Sequence, residues 1–231
     1  MPATAVMFGS IGTLMETSDI QRRAYNQALA EAGLTWVWDR ETYADLLDQS
    51  GGKDRLTLLS EATAAGLSHA RIDGIHARKT ELACAEIVRT PVALRPGVAE
   101  LVDFAKANGL QLAFVTTTYQ ANIDAIFAAA GAALRPRWFD YIGSREAVTH
   151  GKPAPDAYHA ALGALGVTAD RALAVEDTAL SVMSAKRAGL TVVATPGAIT
   201  EGQDFWQADM VIPSLLSGAG LDHRLIARLE R

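Results

Sequence analysis

Four short segments concentrate the side chains able to do chemistry: Gly9-Ser10-Ile11-Gly12-Thr13, Thr116-Thr117-Thr118, Gly151-Lys152-Pro153 and Glu176-Asp177. Together they offer small residues, hydroxyls, a cation and two adjacent carboxylates. That mixture suits a phosphorylated ligand with a divalent cation, because hydroxyls and an ammonium bind phosphate oxygens while carboxylates bind the metal. The glycine-bearing turn from Gly9 to Thr13 can also present backbone N–H groups to an anion. Reactive constellations of other kinds are missing. Cys84 is the single cysteine, so no internal disulfide forms, and neither CxxC nor HExxH spacing occurs.

The elements that must position these segments can be read from periodicity. Ala5 to Phe8 is a short apolar run closed by the first segment, which predicts a buried strand entering a loop. Further strands are predicted at Leu112 to Val115, Tyr141 to Ile142, Ala172 to Val175, Thr191 to Ala194 and Met210 to Ile212. Helices fall between them, one of them from Ala99 to Asn108 with Gly109 ending it. From Asp19 to Thr90 the spacing is helical instead, with Ala24, Leu29 and Ala32, then Tyr43, Leu46 and Leu47. The expected architecture is α/β, a mostly parallel sheet covered on both faces. In such sheets ligands bind beyond the carboxyl ends of the strands, which is where the four segments fall.

A length of 231 residues with 49% hydrophobic content supports one substantial core plus a smaller module. The net charge of -5 supplies no basic stripe, so nucleic acid is not an expected partner. No uninterrupted apolar run approaches membrane-spanning length and no basic leader precedes the first strand, so neither a membrane span nor an export signal is expected. A reducing cytoplasm fits the single cysteine.

The ordered combination of the four segments resembles the haloacid dehalogenase superfamily, and the likeness covers nearly the whole chain. Within it the chain is similar to the CbbY-like sugar-phosphate phosphatases and the related β-phosphoglucomutases. The residues that carry this are Trp38-Asp39-Arg40, Gly51-Gly52-Lys53-Asp54-Arg55, Leu94-Arg95-Pro96-Gly97, Thr116-Thr117-Thr118, Lys152-Pro153-Ala154-Pro155-Asp156 and Glu176-Asp177. The resemblance implies a Rossmann-like core, residues 1–17 and 91–231, with a helical cap of the C1 type, residues 18–90, inserted after the first motif. It also implies Mg²⁺ held by Glu176 and Asp177, phosphate held by Ser10, Gly12, Thr116, Thr117 and Lys152, and a substrate loop at Gly52, Lys53 and Arg55 backed by Tyr43. Thr116 could also cap a helix, and Lys53 and Arg55 could equally be solvated charges.

The resemblance breaks at the first motif. The family reads Asp-x-Asp-Gly-Thr, whereas this chain reads Gly9-Ser10-Ile11-Gly12-Thr13, so Gly9 stands at the nucleophile position and Ile11 at that of the acid/base. Glycine cannot form an aspartyl phosphate and isoleucine cannot transfer a proton. Ser10, the nearest hydroxyl, is expected to point away from the ligand by strand alternation. Ser18 and Gln21 replace a glutamate and a histidine of the family, while Glu16 reads as a partner for a helix N-terminus. Mg²⁺ binding is expected to be weakened by the loss of the first aspartate. Three functions remain open at this level: a catalytically impaired binder of a phosphorylated sugar, an active hydrolase of atypical mechanism, and a regulatory module that binds a protein partner.

Overall fold

The computed structural model describes residues 2–49 and 51–230. Six parallel strands form the central sheet in the order β3-β2-β1-β4-β5-β6: β1 (Ala5–Phe8), β2 (Gln111–Phe114), β3 (Tyr141–Ile142), β4 (Ala172–Glu176), β5 (Thr191–Ala194) and β6 (Met210–Val211). β1 is central, with Phe8 aligned between Phe114 and Val175, and all four of its residues are buried. A strand covered on both faces can be apolar throughout, which is why Ala5 to Phe8 shows no polar alternation.

Side chains alternate between two cores across this sheet. Val6, Phe8, Leu112, Phe114, Leu173 and Val175 face one side. There they pack on α5 (Val98–Ala107), α6 (Gln120–Ala130) and α9 (His223–Leu229). Ala5, Met7, Ala113, Val115, Ala174 and Val192 face the other side, against α7 (Asp156–Leu165) and α8 (Ala179–Arg187).

Between β1 and α5 the chain is helical, as its spacing predicts: α1 (Ser18–Glu31), α2 (Arg40–Leu46), α3 (Gly52–Ala62) and α4 (His69–Arg89). Tyr25, Trp38 and Tyr43 centre this group, with ring centroids 4.5 to 6.3 Å apart. α4 also packs along α1 and α6, through Ala83, Ile87, Ile20, Ala24 and Ala125.

Several boundaries shift. The helix expected from Ala99 begins at Val98 and ends at Ala107, and Gly109 follows the Asn108 cap at φ +67. β2 starts one residue early, β4 extends to Glu176, and β6 stops at Val211. A hairpin of β7 (Leu216–Ser217) and β8 (Gly220–Leu221) was not anticipated, because two-residue strands carry no readable period. No described helix is long and apolar enough to cross a membrane.

Candidate active-site cleft

β1, β2 and β4 end side by side, and their carboxyl ends bring the Gly9–Thr13 turn, the Thr116–Thr118 turn and the Glu176–Asp177 pair together. The cleft above them holds about 230 Å³ and is lined on its far side by α1, α3 and α4. Among the residues singled out from sequence, Ser10, Ile11, Thr116, Thr117, Lys152, Glu176, Asp177, Tyr43, Gly52, Lys53 and Arg55 all line it. Ser18 and Gln21, the altered positions at the start of α1, line it as well.

The floor is a closed network of charge. Lys152 is 5% exposed and donates from Nζ to Glu176 Oε1 and, at 3.3 Å, to the carbonyl of Val115. Tyr158 donates its hydroxyl to the same Glu176 oxygen. Thr13 donates to Asp177 Oδ1 at 2.8 Å and approaches Glu176 Oε2 at 3.5 Å. Burial, reinforced by the Glu176 carboxylate, pushes the Asp177 carboxyl up to about 8, while burial and Glu176 also hold the Tyr158 phenol well above its usual range. The expected phosphate-binding cation and an expected metal ligand therefore neutralise one another.

The first turn leaves no room for side chains at Gly9 and Gly12. A Cβ on Gly9 would stand 2.3 Å from Glu176 Oε2, so this carboxylate fills the space a side chain at Gly9 would need. A Cβ on Gly12, at φ +79, would stand 1.9 Å from Asp177 Oδ2. Ile11 is partly buried and packs against the core cluster that contains Phe8.

Two expectations need correction, and one alternative reading is excluded. Ser10 does not turn away: its hydroxyl lies 2.8 Å from Thr116 Oγ1 and faces the cleft, because strand alternation ends with β1 at Phe8. Thr116 is not a helix cap. Its Oγ1 accepts from the amide of Thr118 at 3.0 Å, and α6 starts after Tyr119. The turn is also a poorer anion cradle than its glycines imply, since the amides of Gly9, Gly12, Thr13 and Leu14 all donate to protein carbonyls. Ser10 has a threonine hydroxyl rather than a base as its partner, so nothing there activates it as a nucleophile.

A resident Mg²⁺ does not fit these residues. The ion requires near-octahedral oxygen ligands. Glu176 is already ion-paired to Lys152, and Gly9 and Ile11 add no side-chain oxygen. Among the described residues no group of three His, Cys, Asp or Glu side chains could hold a metal.

On the helical side Lys53 pairs with Asp73 at 2.6 Å, and the Arg55 guanidinium stands 5.9 Å from the Tyr43 ring centroid. Arg55 also donates from Nε to the carbonyl of Gln49 at 3.1 Å. Gly52 lies against the Tyr25 hydroxyl and His76, where a Cβ would come within 2.1 and 2.5 Å. Glu16 accepts from the amide of Ser18 at 3.2 Å, the helix-start role expected of it. Arg95 donates to the carbonyls of Gly12, Thr195 and Pro196, tying the first turn to the loop after β5. Tyr25, His76, Lys79, Tyr158 and this role of Arg95 were missed from sequence. Of these, only Arg95 had a signal, its place in the Leu94-Arg95-Pro96-Gly97 turn.

A family model described as haloacid dehalogenase-like hydrolase matches residues 4–189. The protein CbbY of Rhodobacter capsulatus is 43% identical over 95% of this chain and 96% of its own length. CbbY from Rhodobacter sphaeroides, crystallised in complex with phosphate, superposes with a TM-score of 0.86 at 38% identity, covering 96% of this chain and 98% of that one. A mutant of that protein in complex with xylulose-(1,5)bisphosphate superposes at 0.87 with 36% identity, over the full length of both chains.

Proposed function

This chain belongs to the haloacid dehalogenase-like hydrolases, on their CbbY-like branch, and from that premise we propose that it binds a phosphorylated sugar without hydrolysing it through an aspartyl phosphate. The observation that carries this is the replacement of both first-motif carboxylates by Gly9 and Ile11 in an otherwise furnished cleft. Magnitude decides against residual catalysis. Enzymatic phosphate-monoester hydrolysis requires accelerations up to about 10²¹-fold, while what survives loss of a catalytic unit supplies roughly 10³ to 10⁴.

In this reading residues 18–90 act as a cap over a core of residues 1–17 and 91–231. One phosphate sits at Ser10, Thr116, Thr117 and Lys152, and a second near Gly52, Lys53 and Arg55, with Tyr43 behind them. The crystal structure of a CbbY mutant with xylulose-(1,5)bisphosphate supports a ligand with two phosphates. A phosphate arriving at Lys152 competes with Glu176 for the ammonium.

Phosphate release and thermal stability measured with xylulose 1,5-bisphosphate, with and without Mg²⁺, test this. The expected outcome is a raised melting temperature and no release, in either condition. Turnover of about 1 per second or faster, the ordinary enzymatic range, would overturn it. The double variant Gly9→Asp, Ile11→Asp serves as the positive control, with recovery limited by the need for Glu176 to swing aside.

A further inference from the structure

Five lysines occur in the chain, and their surroundings differ sharply. Lys53, Lys152 and Lys186 are ion-paired to Asp73, Glu176 and Asp209, and Lys106 is exposed beside the Trp138 ring. Lys79 is 6% exposed and has no carboxylate partner among the described residues. It lies on the buried stripe of α4 with Ile72, Ile75, His76 and Ala83, and its Nζ stands 4.7 Å from the centroid of the Tyr25 ring. It also lines the cleft. Nearby, the fully buried Tyr25 hydroxyl and the buried Gln21 Oε1 have no hydrogen-bond partner, and both residues line the same cleft. A buried amine and two unpartnered polar groups facing one cavity cost stability, which a ligand can repay.

We propose that Lys79 captures the carbonyl of an open-chain aldose or ketose phosphate as a reversible imine, inside the cleft assigned above to phosphorylated sugars; the proposal rests on that assignment. The amine lone pair adds to the carbonyl carbon, forming the C–N bond. The oxygen gains two protons, both from the nitrogen and one of them relayed through the Tyr25 hydroxyl, and leaves as water when the C–O bond breaks. Water adds back to release the sugar unchanged, so no oxidant or second substrate is needed. Lys53 and Arg55, at the start of α3, hold the phosphate while the carbonyl reaches α4.

The charged groups around Lys79 favour the free amine. Burial, then the Arg55 guanidinium, lower its ammonium to about 7, with Cys84 opposing weakly. His76, one turn before it on α4, is itself held neutral, lowered to about 3 by burial and then by Lys79, Lys53 and Arg55. From α1 the Tyr25 ring packs on it, and burial holds that phenol neutral. A buried lysine of this kind is the usual host for Schiff-base chemistry.

Reductive trapping tests the proposal. Wild type, Lys79→Met and Lys79→Arg are incubated at pH 7 with sodium cyanoborohydride and either glyceraldehyde 3-phosphate or unphosphorylated glyceraldehyde, and adducts are mapped by peptide mass spectrometry. Lys79 in the wild type is expected to label at least about tenfold faster than Lys106, because burial and Arg55 favour its free amine. Both variants should keep their circular dichroism and lose that adduct. Labelling of Lys79 no faster than Lys106, with both probes, overturns the proposal. Equal labelling of Lys79 by the two probes supports the imine and counts against the phosphate site. A melting temperature raised by glyceraldehyde 3-phosphate without labelling of Lys79 does the reverse.

Discussion

At the residue scale the cleft floor turns on one ammonium. Lys152 neutralises Glu176, which is 1% exposed, so Lys152→Met leaves a buried carboxylate facing only Tyr158 and Thr13. Removing one partner of a buried pair costs roughly 3 to 5 kcal/mol, whereas a neutral isosteric pair is often tolerated. Lys152→Met is therefore expected to lower the unfolding free energy by about that amount in urea titrations, and Lys152→Met with Glu176→Gln to restore most of it. Such a cost rules out simple truncation of Lys152 as a clean probe of ligand binding. Asp177 makes a second case. Its folded value of about 8 lies above the ordinary carboxylate range, so the native state binds more protons than the unfolded chain between about pH 4 and 8. Stability from this group is complete at the acid end of that window and falls as pH rises through it. The melting temperature of wild type minus that of Asp177→Asn should decline from pH 5 to 8; a flat difference would contradict the assignment.

At the element scale the helical insertion depends on one aromatic residue outside any helix. Trp38 is 1% exposed, and Asn26 of α1 both donates to its carbonyl at 2.9 Å and accepts from its amide at 2.8 Å. Arg22 donates to the same carbonyl at 2.9 Å, and Asp39 caps α2 through the Thr42 amide at 2.8 Å. Trp38 thus joins α1 and α2, in addition to their direct Tyr25–Tyr43 contact. Trp38→Ala should cost about 3 to 5 kcal/mol. Hydrogen exchange should quicken in α2 well before it does in β1, because the sheet cores do not include this cluster.

At the scale of the molecule, a ligand with two phosphates would touch both the sheet edge and α3. Saturation at about a hundredfold over the dissociation constant adds roughly 2.7 kcal/mol of stability. Xylulose 1,5-bisphosphate is expected to slow amide exchange at residues 116–118 and at the start of α3 together, while inorganic phosphate protects the first alone. Protection of neither would mean that the cleft takes no such ligand. The parallel sheet and the order of its segments were legible from the sequence, since apolar runs of four residues are local facts. The pairing of Lys152 with Glu176 was not legible, nor were the third partner Tyr158 and the inward face of Ser10. Nor did anything local distinguish Lys53 from Lys79. Both are lysines in helices, yet one reaches Asp73 and the other is sealed against Tyr25. The difference comes from α1 and α6 closing over one face of α4 from positions some fifty residues before it and forty after. A charge becomes costly, and so chemically useful, only when distant parts of the chain remove its water, and that is decided by tertiary packing alone.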